Sequence, residues 1–403
     1  MADWRHDFTA GAELNEGWQQ HLAKRWASQR YNTDALLERL EKDRARAVDF
    51  TADTRRLQLV PIDPAVAREQ LPQVAEVDRT ADAGGAHVVL LPKDEDDAQW
   101  IQATGPIPMN AHAHQQVAAK AGIPLAYYRR MLADAPDLLA MNVNQWWEQQ
   151  PARRLVRTMD RVGRSWLSDR YRQLDNLPML RHLLPVLNDA SSGWQIQQCG
   201  LTDLRVHIEA VQPNMTGDVR VGDAVALAVK ITNSEVGAGA LAMSFGLFRV
   251  VCSNLAVVSD WNMRRVHLGR QLDDQLVEVL TDTTLAKEDA LVFDKMRDVL
   301  RAMNDGEQFQ RLLATAQDSA QAKLGDPAAA SQLVVRNMGL TEDETKVFNN
   351  QLLTAGDATM WGLTNALTAT ARNLEYERKA DLERAAGQLL GNEAQWKQYV
   401  KAA

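Results

Sequence analysis

The sequence predicts an α+β protein: a central antiparallel β-meander of three to four strands, flanked by helical N- and C-terminal regions. Three observations predict it. Between Gly193 and Val251 apolar residues recur with a period of two, as in half-buried strands. From about Asp273 to the end they recur every three to four residues, the period of amphipathic helices. Thr33-Asp-Ala-Leu-Leu-Glu-Arg-Leu-Glu-Lys-Asp-Arg has the same helical spacing behind a capping Thr33 or Asp34.

The elements follow in order. Residues 1–105 read as a helical leader with short strands. Leu57-Gln-Leu-Val-Pro61 and His87-Val-Val-Leu-Leu-Pro92 are strands that each end at a proline. A turn is expected at Gly84-Gly85 and a solvated acidic loop at Lys93-Asp-Glu-Asp-Asp97. Residues 106–190 carry a helical pair broken at Gly122-Ile-Pro124, then an arginine-rich segment. The pair reads as an αα-hairpin, with a DNA-reading helix-turn-helix as the alternative. Residues 191–270 form the β core. Its strands carry Leu204 to Ala210, Val225 to Ile231 and Leu241 to Phe245, with a turn at Pro213-Asn-Met-Thr-Gly-Asp218. Phe248-Arg-Val-Val-Cys-Ser-Asn254 is expected to begin a helix or turn. Residues 271–403 are helical, with a capping box at Thr341 and a strongly apolar helix from Met360.

Composition bounds the function. The chain has 403 residues, 45% of them apolar, enough for two or three domains with a sizeable core. No apolar run approaches bilayer length, and the N-terminus lacks a signal-like apolar stretch, so a cytoplasmic protein away from membranes is expected. Cys199 and Cys252 are expected to be reduced. The net charge of −8 argues against a protein coated in nucleic acid, yet a local basic groove remains compatible with it.

The segment from Arg153 to Arg172 holds seven arginines and only two aspartates, with Trp166 and Tyr171 interleaved. Guanidinium forks match phosphate oxygens, and aromatic rings stack on bases. The alternative is a surface whose arginines pair with carboxylates elsewhere. His112-Ala-His114 offers at most two metal ligands, short of a site. Cys252 near Arg249 is a weak candidate for a reactive thiol. The chain lacks Gly-x-Ser-x-Gly, His-Glu-x-x-His and P-loop patterns, and Gly237-Ala-Gly239 falls short of a dinucleotide loop. No catalytic residue, cofactor or metal is therefore expected.

Arg164-Ser-Trp-Leu-Ser-Asp-Arg-Tyr-Arg-Gln-Leu-Asp-Asn176 resembles the signature of a phage- and plasmid-borne family, domain-of-unknown-function family 932. Gly222-Asp223 through Asn233-Ser-Glu-Val-Gly237 resembles a second block of that family, and Phe248 to Asn254 a third. Leu255 stands where the family usually has glycine. Gly122-Ile-Pro124, Asn142-Val-Asn-Gln-Trp146 and Trp361-Gly-Leu-Thr-Asn365 are also similar, so the resemblance spans roughly residues 110–390. It implies a mobile-element protein of a bacterial cytoplasm. By analogy it extends to single-strand annealing proteins, whose β-β-β-α core assembles into rings or filaments.

The expectation is thus a non-enzymatic, homo-oligomeric binder of single-stranded nucleic acid, DNA favoured over RNA, acting in phage or plasmid recombination or replication. Arg153, Arg154, Arg157, Arg161, Arg164, Arg170 and Arg172 would contact phosphates, and Trp166 and Tyr171 would stack. Lys230, Asn233, Arg249 and Asn254 would extend the groove. A protein-binding module aimed at a host defence or replication factor is the alternative, and a hydrolase with a non-standard site is a third reading.

Overall fold

A computed structural model describes residues 33–63, 88–93, 105–249, 254–265 and 282–401. The chain opens with helix α1 (Thr33–Arg46) and then strands β1 (Ala47–Asp53), β2 (Leu57–Pro61), β3 (Val88–Pro92) and β4 (Ile107–Pro108). Helices α2 (Ala111–Ala121), α3 (Leu125–Asp134) and α4 (Pro136–Gln149) precede a hairpin, β5 (Arg153–Met159) and β6 (Val162–Ser168). Helix α5 (Asn176–Leu187) leads into β7 (Gln195–Leu201), β8 (Val206–Asp218), β9 (Ala224–Asn233), β10 (Leu241–Arg249) and β11 (Asn254–Arg265). Among the described residues seven helices follow: α6 (Asp282–Ala302), α7 (Glu307–Gln321), α8 (Pro327–Met338), α9 (Glu342–Ala355), α10 (Met360–Ala371), α11 (Tyr376–Gly391) and α12 (Glu393–Val400). The expected helix around Asp274, the Gly84-Gly85 turn, residues 94–97 and Cys252 lie outside the described residues.

The central meander has five antiparallel strands, β7 to β11 in sequence order, where three or four were expected. The two extra strands are its edges. Gln195-Ile-Gln-Gln-Cys-Gly-Leu201 has too few apolar residues to alternate visibly. Asn254 begins β11 rather than a turn, and Leu255, 3% exposed, pairs with Phe248 across the ladder. The turn expected at Pro213 is a bulge inside β8. Gln212 pairs with Leu227 and Thr216 with Ala226, so residues 213–215 have no ladder partner, and proline's missing N–H costs nothing there. The chain reverses instead at Val219 to Asp223, where Gly222 takes φ +80°.

Both faces of this sheet are covered. Val225, Leu227, Val229, Ile231, Ile208, Met243 and Phe245 share one apolar cluster with Leu180 and Leu184 of α5, Phe293 and Met296 of α6, and Phe309 of α7. Leu36 and Leu40 dock α1 onto the same cluster. The opposite face carries Ala226, Ala228, His207, Glu209 and Lys230, on which α11 lies through a Lys230–Glu383 ion pair.

The β1-β5-β6 and β2-β3-β4 sheets meet at one parallel bridge between Met109 and Gly163. They share a core in which Leu57, Leu59, Val88 and Leu90 touch Val117, Tyr128, Val143, Trp147, Val156 and Trp166. One core therefore runs across the expected boundary at 105/106. Strand β1, inside the expected helical leader, pairs along its whole length with β5. A third core unites α8 to α12 through Val334, Phe348, Met360, Leu363, Leu382 and Trp396. Among the described residues no helix is long and apolar enough to cross a membrane.

Candidate nucleic-acid interface

The arginine segment folds as the β5–β6 hairpin, and strand alternation together with a bulge at Arg164 sorts its side chains. Val156 and Trp166 turn into the core beneath α4, whereas Arg157 and Arg164 face a cleft of about 1150 Å³. Helix α1, the hairpin tip, the start of α5, the end of β7 and the loop after β9 wall this cleft. Seven arginines line it (Arg39, Arg44, Arg46, Arg157, Arg164, Arg181 and Arg205) against five carboxylates: Asp43, Asp160, Asp175, Asp203 and Glu235.

Arg157 forms the floor and is 1% exposed. Its Nε donates to Asp49 Oδ2 at 3.0 Å, its Nη1 to the Glu235 carbonyl at 3.0 Å, and its Nη2 lies 2.9 Å from Asp175 Oδ1. Burial alone would depress its pKa, but Asp175 and Asp49 together raise it, so the charge is permanent. Arg164 Nη2 donates to Glu235 Oε2 at 3.1 Å, and Glu235 Oε1 accepts the backbone N–H of Asn176 at 2.8 Å. Glu235 thereby occupies the positive end of α5.

The rim is different. Arg39, Arg44 and Arg181 have side chains 60%, 62% and 59% exposed, each pairing with one carboxylate, Asp43, Asp175 and Glu41. Only Arg181 and Glu41 form a pair exposed on both sides, worth roughly 0–1 kcal/mol. Asp43 and Asp175, 7% and 16% exposed, keep Arg46 and Arg157 as second partners when Arg39 or Arg44 turns to a phosphate. At the hairpin tip, Asp160 and Arg161 adopt φ +50° and +65°, and Asp160 accepts from Arg46 Nε at 2.9 Å. Arg161 is exposed.

The other expected site residues are placed as follows. Arg153 and Arg170 are exposed and Arg154 is half-buried, near the end of the hairpin away from its tip, where Arg154 pairs with Ser168. Arg172 Nε donates to Asp289 Oδ1 of α6 at 2.7 Å. Trp166 is 1% exposed and stacks on Trp147 at 4.9 Å between ring centres, so no ring face is open to a base. Tyr171 donates its hydroxyl to the Ser234 carbonyl at 2.8 Å, and burial pushes its pKa up. Asn233 is fully buried and donates to the Leu174 carbonyl and Asn176 Oδ1. Lys230 sits 2.6 Å from Glu383 and 3.2 Å from Glu209, under α11. Arg249 pairs with Asp223. Asn254 pairs through its backbone position with Arg249. The segment is therefore split: Arg157 and Arg164 reach the cleft, Arg161 stands at the tip beside it, and the rest lie outside the cleft lining. Arg39, Arg44, Arg46, Arg181 and Arg205 were not singled out from the sequence. In isolation they read as ordinary helix-surface and strand charges.

His112 Nε2 lies 2.9 Å from the Val236 carbonyl, while His114 Nδ1 lies 2.8 Å from the Tyr128 hydroxyl, so the two rings diverge. Among the described residues no group of three or more His, Cys, Asp and Glu is placed to hold a metal. Cys199 is a free thiol lining the cleft, its pKa pushed up by burial.

The chain matches the family described as domain of unknown function (DUF932) over residues 165–390. It belongs to the DUF932 family. No curated protein and no solved structure matches the chain. Within the DUF932 stretch the quoted motif blocks meet at two points in space. Asn176 of the first block holds Asn233 and Glu235 of the second, with Tyr171 on Ser234. Asp223 of the second block receives Arg249 of the third and, at 2.8 Å, the indole N–H of Trp361. The first junction abuts the arginine cleft, and the second joins the sheet to α10.

Proposed function

We propose that this chain binds and anneals single-stranded nucleic acid, DNA in preference to RNA, in the arginine-lined cleft, without enzymatic turnover. We place it in recombination or replication of a phage or plasmid, acting as a homo-oligomer in a bacterial cytoplasm. The resemblance of its motifs to a family carried by such elements supports that setting. One observation carries the reading: five elements, from α1 to the loop after β7, deliver seven arginines to one cleft of about 1150 Å³ in a protein of net charge −8. An excess of arginine over carboxylate along the lining, seven against five, attracts a polyanion there.

The chemistry is sequence-tolerant. Rim arginines Arg39, Arg44 and Arg181 turn from their carboxylate partners to phosphates, and Arg161 reaches the strand from the hairpin tip. Arg157 and Arg164 hold the floor and Glu235 in place. Trp166 is not part of this reading, because its ring is enclosed.

Fluorescence anisotropy of a labelled oligothymidylate across a salt series tests it. Binding should weaken as salt rises, with a log–log slope near 0.7 per phosphate neutralised. Combined replacement of Arg39, Arg44 and Arg181 by alanine should flatten that slope by about two. Salt-independent binding, or binding no better than to a neutral polymer, defeats the proposal. Nuclease-resistant capture of a host protein in its place would favour the protein-binding alternative.

A further inference from the structure

We infer that a strand lying in the cleft continues past Arg181 into a second cavity on the flank of α5, so that the two cavities form one anion track. This rests on the single-strand reading and extends it. The second cavity, about 570 Å³, lies between α5 and the end of α6. Arg181 lines both cavities, which makes them neighbours along one helix. Its side chain is 59% exposed, long enough to serve either side.

The second cavity is the more one-sided in charge. Arg181, His182, Arg297 and Arg301 line it, opposed by the single carboxylate Asp189. That carboxylate is already engaged: its Oδ1 accepts the backbone N–H of Ser191 at 2.8 Å. Arg297 and Arg301 are four residues apart on α6, so they project from one face about a turn apart. Arg297 also pairs with Asp294 at 3.0 Å and with Asp298 at 3.8 Å, partly exposed pairs that a phosphate can replace. His182 donates its Nδ1–H to the Pro178 carbonyl at 2.8 Å and leans on Phe293 at 5.4 Å, which holds the ring against α6. The geometry suits a run of backbone phosphates with no demand on base identity, so the footprint on a strand should exceed what the first cleft alone covers.

The test compares labelled oligothymidylates of about 6 and about 20 nucleotides, lengths that bracket common single-strand site sizes. For the unaltered protein the longer strand should bind more tightly. Arg297→Ala with Arg301→Ala should bind the short strand as before, lose about tenfold on the long one, and lower the long-strand salt slope by about one. Arg297→Lys with Arg301→Lys should recover most of the loss, which separates lost charge from lost folding. Short-strand binding with a long-strand affinity untouched by the alanine pair would overturn the track and leave the first cleft standing. Absence of binding to either length by the unaltered protein would overturn both.

Discussion

At the residue scale, arginines of one chemical type do two different jobs according to their surroundings. Arg157 is enclosed by Asp49, Asp175 and the Glu235 carbonyl, whereas Arg39, Arg44 and Arg181 stand in water with one partner each. Removing a buried charge strands its partners, at a cost of about 3–5 kcal/mol. Arg157→Ala should therefore lower the urea midpoint strongly. Arg157→Lys should recover little, because an ammonium cannot span three acceptors in one plane. Equal stability of the lysine variant and the parent would refute the fork geometry. His114 gives a second residue-scale expectation. Burial lowers its pKa to about 4, below the roughly 6.5 of an unfolded chain. Between those values the unfolded state takes up the proton and the folded state does not. Stability is thus intact above pH 6.5 and falls as pH drops towards 4, by roughly 1.4 kcal/mol per pH unit within the window. His207, which burial also lowers to about 4, loses stability over the same window, so His114→Gln should remove part of the loss between pH 7 and pH 5 and leave the rest. Glu344, held down to about 2 first by Arg378 and also by the Thr341 cap, acts only at lower pH.

At the element scale, the β5–β6 hairpin is where local preference and observed structure disagree. A two-residue loop with both φ values positive is the type I′ turn, which favours Asn-Gly or Asp-Gly. Asp160 suits the first position, but Arg161 at φ +65° does not. Arg161→Gly should stabilise the fold by about 0.5–1 kcal/mol, read from thermal or chemical denaturation. In the proposed function the same change should weaken single-strand binding. Stability gained without binding lost would remove Arg161 from the interface. Elsewhere local rules suffice: Thr341 and Glu344 close a reciprocal capping box on α9, and Asn110 caps α2 by accepting from Ala113.

At the scale of the whole molecule, buried polar junctions tie the central sheet to its surroundings. Glu235 and Asn233 bind it to α5 and the hairpin, Asp223 to α10, and Lys230 to α11. In the last of these, Lys230 and Lys379 oppose Glu209 and Glu383, with Tyr376 stacked on His207 at 3.6 Å. Lys230→Met should destabilise by about 3 kcal/mol or more, because two buried carboxylates keep only one cation. Lys230→Met combined with Glu383→Leu should cost clearly less, since it removes one charge of each sign. A double variant as unstable as the sum of its single changes would show that the pair is uncoupled.

Much of this was legible without the fold. The period-two runs of β8, β9 and β10, the caps of the C-terminal helices and the motif blocks of the DUF932 family all stand in the sequence, because each depends on neighbours only a few residues away. The edge strands β7 and β11 were hidden. Edge positions need no strong alternation, and a proline bulge resembles a turn until its ladder is seen. The arginine-rich segment shows where the sequence by itself stops. The sequence determined that it carries many cations with aromatic residues interleaved. Which of them are spent inside the fold and which meet solvent was decided by carboxylates far away: Asp49 lies 108 positions from Arg157, and Asp289 lies 117 from Arg172. The sign of a charge is local to its residue, but its partner is chosen by packing, and only the tertiary structure brings that partner within reach.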